Sequence, residues 1–222
     1  CGICGFISTS NIHEREVIVT EMMERLSHRG PDGEGLLSKP WYTCGHRRLA
    51  IIDIEHGVQP MSSADGRYTI VFNGEIYNYI ELREELKGTG VCFRTASDTE
   101  ILLALLIREG TAALSKLNGM FAFAFFDNHN RTWIMARDPF GIKPLYYTVD
   151  NDEVIFASEI KALFAYSKLE NECDWNALQQ YLTLQFCLGE QTLFHHVRKL
   201  EPGCYIQGKG GTFPAPVRYW DT

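Results

Sequence analysis

Cys1-Gly2-Ile3-Cys4-Gly5-Phe6 opens the chain, and the reading of its first residue decides what the rest must be. With Cys1 as the mature terminus, one residue carries both a thiol and a free α-amine. The thiolate is the nucleophilic form of cysteine. An α-amine titrating near ~7.7–8.0 is partly neutral at neutral pH. Together they make a nucleophile and its own proton acceptor, on the pattern of an N-terminal threonine beside its amine. If the numbering starts at an arbitrary point instead, Cys1 reads as an ordinary strand cysteine. The remaining sequence has to choose between these readings.

Composition excludes several classes. The 222 residues suffice for one large domain with a substantial core, and 45% hydrophobic with 22% charged residues is ordinary for a globular chain. A net charge of -7 and a pI near 5.5 argue against nucleic acid and against an anionic membrane surface as partners. No apolar run approaches the roughly 18 residues that span a bilayer. The N-terminus lacks the basic and apolar regions of a signal peptide, so a cytoplasmic location is expected. Cysteines at 1, 4, 44, 92, 173, 187 and 204 are odd in number and scattered, which fits reduced thiols. Cys1 and Cys4 form a C-x-x-C pair. No second pair stands at the spacing of a structural zinc site, and none accompanies His195-His196, so no metal is expected.

Outward from the first strand, read over residues 1–9, a helix is expected over 14–27, with Val17, Ile18, Met22 and Leu26 on one face. Ser27-His28-Arg29-Gly30-Pro31-Asp32-Gly33-Glu34-Gly35 reads as a structured turn region. A strand over 42–54 contains Arg47-Arg48, whose side chains point to opposite faces. The inward one needs a carboxylate, from the protein or from a ligand. Residues 67–73 form a strand that runs into Asn73-Gly74, the strongest short hairpin signal, so a type I′ turn is expected there. The alternative is that the amide and a backbone N–H aim at one point, as donors of an oxyanion hole do.

Helices follow over 79–88 and 98–109; the second is capped by Ser97 or Asp98 and is apolar nearly all round across 101–107, as a helix buried between layers would be. Strands over 120–127 and 132–137 enclose a turn at Asp127-Asn128-His129-Asn130, and strands over 145–149 and 154–158 enclose Asp150-Asn151-Asp152. Hairpins of this kind make antiparallel sheet. Helices are read over 160–165 and 174–186, and 203–219 reads as a short strand passing into a linker.

Six of these stretches, in register, resemble one family. Cys1-Gly2-Ile3-Cys4-Gly5, His28-Arg29-Gly30-Pro31-Asp32, Arg48-Leu49-Ala50-Ile51-Ile52-Asp53, Phe72-Asn73-Gly74-Glu75-Ile76-Tyr77-Asn78, Ser97-Asp98-Thr99-Glu100 and Arg137-Asp138-Pro139-Phe140-Gly141-Ile142-Lys143-Pro144-Leu145-Tyr146-Tyr147 are similar to the class II glutamine amidotransferase domain. The wording is nearest that of glutamine-hydrolysing asparagine synthetases. The resemblance covers essentially the whole chain and favours the free N-terminal cysteine.

It implies an N-terminal-nucleophile hydrolase fold: α+β, a four-layer αββα sandwich of two antiparallel sheets flanked by helices. It also implies roles. Cys1 would attack the side-chain amide of L-glutamine, its amine relaying the proton. Asn73 and Gly74 would hold the oxyanion. Arg48 would clamp the α-carboxylate, Asp98 would take the α-ammonium with Glu75 assisting, and backbone near Ile51 and Ile52 would line the pocket. His28 and Arg29 would support the Cys1 loop. The glutaminase domain would occupy residues 1–210, with 211–222 beginning a linker to a C-terminal ATP-dependent synthetase domain whose Ser-Gly-Gly-x-Asp-Ser signature does not occur here. No cofactor is expected in this domain; ATP and Mg belong to the synthetase domain. Partners are then glutamine and that domain in cis, with a homodimer left open. An amidation acceptor other than aspartate, or an inactive interaction domain of the same fold, are the alternatives.

Overall fold

The computed structural model describes residues 1–221. Twelve strands are present among them: β1 (Gly2–Ile7), β2 (Gly33–Lys39), β3 (Tyr42–Arg48), β4 (Met61–Ser62), β5 (Tyr68–Ile76), β6 (Gly119–Asp127), β7 (Thr132–Arg137), β8 (Tyr146–Asp150), β9 (Glu153–Ala157), β10 (Arg198–Lys199), β11 (Cys204–Lys209) and β12 (Val217–Arg218). The α-helices are α1 (Ile12–Arg25), α2 (Tyr79–Lys87), α3 (Asp98–Glu109), α4 (Ile160–Leu163) and α5 (Trp175–Leu184). The strands make two antiparallel sheets, ordered β10-β8-β9-β1-β3-β2 and β12-β11-β7-β6-β5-β4.

Strand alternation sorts the side chains into layers. On β1, Ile3 and Ile7 enter the cluster that also holds Val71, Ala122, Ala124 and Met135 from the other sheet, so odd positions face the gap between sheets. Cys4 and Phe6 face outward and pack beneath Val19, Met22 and Met23 of α1 and Leu163 of α4. On β5, Val71 faces the gap, while Ile70, Phe72 and Ile76 face outward against Leu82 of α2 and the Ile101–Leu106 run of α3. Helix, sheet, sheet and helix therefore stack in four layers. Tyr42 of β3 lies parallel to Phe126 of β6 with centroids 4.0 Å apart, joining the sheets face to face.

The structure corrects three local readings. Asn73-Gly74 is no turn: both lie within β5, paired with Ala122 and Phe121. A Cβ at Gly74 would collide with the Met120 carbonyl, so it is the close approach of β6 that requires glycine there. The strand from Tyr42 stops at Arg48, and Leu49–Ile54 form a loop, turned at Asp53 (φ 48°). Ser27–Gly35 is not turn throughout, since Gly33 begins the edge strand β2. Near the C-terminal end, β12 lies against β11, and the Tyr219 hydroxyl donates to the Arg137 carbonyl at 2.8 Å.

Candidate active site

Cys1 stands two residues before Ile3 and so continues the face of β1 that looks between the sheets. Asn73 and Glu75 continue the corresponding face of β5 beyond Val71. The apolar filling ends here, and the two strands expose polar groups to a shared cavity. Its wall includes Cys1, Arg48, Ile51, Ile52, Asn73, Gly74, Glu75 and Asp98, so all eight residues expected from the sequence meet in one place. Leu49, Gln59, Thr99, Met120 and Lys143 line it as well, within about 600 Å³ of empty space partly open to solvent.

The Cys1 sulfur lies 3.3 Å from the Leu49 backbone nitrogen, whose N–H points charge stabilisation at a thiolate. Asp32 braces that loop: its carboxylate accepts the Ala50 N–H at 2.9 Å, and its own N–H donates to the Arg48 carbonyl at 3.0 Å. Arg29 donates Nε–H to the Cys1 carbonyl at 3.0 Å and pairs with Glu159 at 2.6 Å. His28 reaches the same Glu159 carboxylate at 2.8 Å. Burial, then the charges of Arg29 and Lys143, lower the Cys1 α-ammonium from 8.0 to about 6; Asp32 opposes them. Cys4 faces away from Cys1 and is fully buried, and burial pushes its thiol well up, so the C-x-x-C spacing joins no reactive pair.

The edge of β5 supplies the donors. Backbone groups of alternate strand residues point to the same side. The Phe72 N–H goes to Gln59 Oε1 at 2.6 Å and the Ile76 N–H to Asp98 Oδ2 at 3.0 Å. The Gly74 N–H lies between them on the same side. Its opposite residue, Phe121, spends both backbone groups on Asp138, so β6 does not take it. The Asn73 Nδ2 is buried and has no hydrogen-bond partner among the described residues. A buried unpaired amide costs about 1–3 kcal/mol. An orphaned side-chain donor and an open backbone N–H, on adjacent residues, thus line the same cavity as the Cys1 thiol.

The charged end is equally one-sided. Arg47 pairs with Glu34 and donates to the Met23 carbonyl. Arg48 donates to the Ile54 and Asp53 carbonyls, both at 2.7 Å, and among the described residues no carboxylate pairs with it. It is thus oriented but not neutralised. Opposite, Asp98 is 5% exposed, and its first-turn place leaves capping to Ser97, whose oxygen accepts the Glu100 N–H. Burial, with Glu75 nearby, lifts Asp98 from 3.8 to about 6 although the Ile76 N–H opposes the rise. One fixed cation and two crowded carboxylates suit a zwitterion.

A family model for the glutamine amidotransferase domain matches residues 1–220. The chain belongs to that family. It is 49% identical over 207 residues to asparagine synthetase [glutamine-hydrolyzing] 1 of Bacillus subtilis, covering 90% of this chain and 33% of the relative. It is 37% identical over 187 residues to asparagine synthetase [glutamine-hydrolyzing] 3 of the same organism, covering 83% of this chain and 30% of that protein. The chain thus spans about a third of the length of these curated relatives. Glutamine phosphoribosylpyrophosphate amidotransferase of B. subtilis, solved with ADP and GMP, superposes with a TM-score of 0.73 at 22% identity, covering 100% of this chain and 50% of that one. This likeness shows the fold: the expected αββα sandwich is that of the amidotransferase.

Gln59, Leu49 and Lys143 were not read as site residues. Gln59 carried no signal, since its role is a backbone clamp on Phe72. Lys143 did carry one, because it sits in the Arg137–Tyr147 stretch on which the family resemblance rests. Glu170, Glu172 and His196 come close enough together to share a cation, but all are exposed and none lines this cavity. No helix of the described chain is long and apolar enough to cross a membrane.

Proposed function

We propose that this domain hydrolyses L-glutamine to glutamate and ammonia through a Cys1 thioester. In the complete protein, the ammonia would amidate an ATP-activated aspartate in a C-terminal synthetase domain, to which ATP and Mg belong. The observation that carries the hydrolytic reading is the orphaned Asn73 amide beside the free edge of Gly74, in one cavity with the Cys1 sulfur.

The chemistry follows from the contacts. The Cys1 α-amine takes the thiol proton, and the sulfur attacks the glutamine carboxamide carbon. The carbonyl oxygen becomes an oxyanion held by Asn73 Nδ2 and the Gly74 N–H. The carbon–nitrogen bond breaks as the amine's proton passes to the leaving nitrogen, which departs as ammonia. Water then cleaves the thioester to glutamate and restores the thiol. Arg48 holds the α-carboxylate as a planar fork, and Asp98 with Glu75 receives the α-ammonium. Ile51 and Ile52 close the wall between.

The assignment to asparagine synthesis is supported by the relatives' names and lengths. A partner domain is supported by α5 and the turn after it, which leave Trp175 74%, Leu182 75% and Phe186 55% exposed, apolar surface of the kind proteins cover. The cytoplasm is the matching compartment for seven cysteines that are all free thiols. The test is release of glutamate and ammonia from L-glutamine by protein whose free Cys1 is confirmed by mass. Activity that disappears in Cys1→Ala supports the reading; activity that survives this substitution contradicts it.

A further inference from the structure

The stretch Arg137–Lys143 is built with unusual care for a surface loop. Asp138 is fully buried, and its carboxylate accepts four backbone N–H groups: Phe140 at 3.1 Å, Ile142 at 2.9 Å, Lys143 at 3.0 Å and Phe121 at 3.1 Å. Arg137 grips the same loop from the other side, donating to the carbonyls of Lys143, Gly141 and Leu200, each at 2.7 Å. Gly141 supplies the left-handed residue, φ 65°, and a Cβ there would come within 2.8 Å of Pro202. Seven hydrogen bonds thus fix one short loop, and Phe121, the residue facing Gly74, ties it to β6.

What the loop delivers is one side chain. Lys143 reaches the cavity that holds the Cys1 sulfur and the Asn73 amide. Among the described residues its ammonium makes no salt bridge or hydrogen bond, unlike Lys116, Lys161 and Lys168, which each pair with a glutamate. A cation without a counter-ion, lining the cavity of a nucleophile, acts on that nucleophile electrostatically. We propose that Lys143 is a positioning residue for the nucleophile: the 137–143 loop holds its unpaired ammonium in the cavity that Cys1 lines, where a fixed positive charge keeps the Cys1 α-amine a proton acceptor. This rests on the glutaminase reading with a free Cys1.

The groups facing that amine support the assignment. Arg29 is occupied by the Cys1 carbonyl and Glu159, and Asp32 is an acid whose charge acts on the amine in the opposite sense. His46, beneath, is buried and held neutral, its ring falling to about 3, with Nε2 on the Phe72 carbonyl. Arg48, Glu75 and Asp98 stand across the cavity. Of the two cations that lower the amine, Arg29 is committed to the fold and Lys143 is not.

The test compares wild type, Lys143→Met, Lys143→Gln and Lys143→Arg, each with mass-confirmed free Cys1. Two quantities are followed: the NMR titration of ¹³C-labelled Cys1, assigned by its loss in Cys1→Ala, and the acid limb of kcat/KM for glutamine. Removing the cation is expected to move both upward together by about half a pH unit, which is a threefold loss of kcat/KM on the acid side. Lys143→Arg restores both. A Cys1 titration in Lys143→Met or Lys143→Gln that overlays wild type overturns the proposal, as does a fall in kcat with the pH profile unmoved, which would mark a merely structural role. If Cys1 titrates as expected while no protein of the set turns over glutamine, the inference about Lys143 stands and the glutaminase reading falls.

Discussion

Asp98→Asn should make this protein more stable at neutral pH while removing its affinity for substrate. Asp98 is 5% exposed, and burial raises its carboxyl from 3.8 to about 6, so at neutral pH the fold holds a carboxylate it would rather protonate. For an acid raised on folding, the stabilisation is complete below the unfolded value and is lost as pH climbs through the folded one. Two pK units correspond to about 3 kcal/mol withheld from the fold at pH 7.5, shrinking to about 1.6 kcal/mol at pH 5 and under about 1 kcal/mol at pH 4. Asparagine keeps an acceptor for the Ile76 N–H, through Oδ1, and discards the charge. Urea denaturation of both proteins at pH 7.5 and pH 5 measures the difference. The reasoning fails if Asp98→Asn is no more stable than wild type at pH 7.5, or if its advantage is the same at pH 5. A group that costs the empty fold this much, in the same cavity as an unneutralised arginine, is a group kept for a cationic ligand.

Other residues of the cavity give sharper kinetic expectations. Asn73→Ala should lower kcat by about 100- to 1,000-fold, the usual loss for one oxyanion donor, with KM for glutamine little changed; steady-state kinetics read both. Arg48→Lys should raise KM about 10- to 100-fold, because lysine cannot reach the Asp53 and Ile54 carbonyls and a carboxylate together as a planar fork does. An unchanged KM would move carboxylate recognition elsewhere.

How far the sequence carried depended on the range of the forces at each point. Helix α3 begins at Asp98 and ends at Glu109, the bounds read from its cap and its apolar run, because both signals are local. The same run suggests a helix between layers, whereas α3 lies in an outer layer, buried against β5 and α2 with Ile107 left exposed. The Asn73-Gly74 turn failed for the opposite reason: a hairpin rule lost to pairing with β6, which comes from almost fifty residues downstream. Leu49–Ile54 read as strand because apolar residues suit either a sheet or a pocket wall, and nothing nearby tells which. β2 escaped because its glycines and half-exposed side chains carry no alternation, although its pairing with β3 runs from Gly33 through Lys39. Lys143 and Gln59 join the site only through the closure of two sheets, which no spacing in the chain encodes.

The central claim is that Cys1 forms a covalent bond with the γ-carbonyl of glutamine. Rapid acid quenching of protein during turnover, followed by intact mass and peptide mapping, tests it most directly. The account expects a glutamyl adduct on residue 1, transient in wild type, accumulating less in Asn73→Ala and absent in Cys1→Ala. Steady glutamate release with no adduct on Cys1, or an adduct on another cysteine, would contradict it.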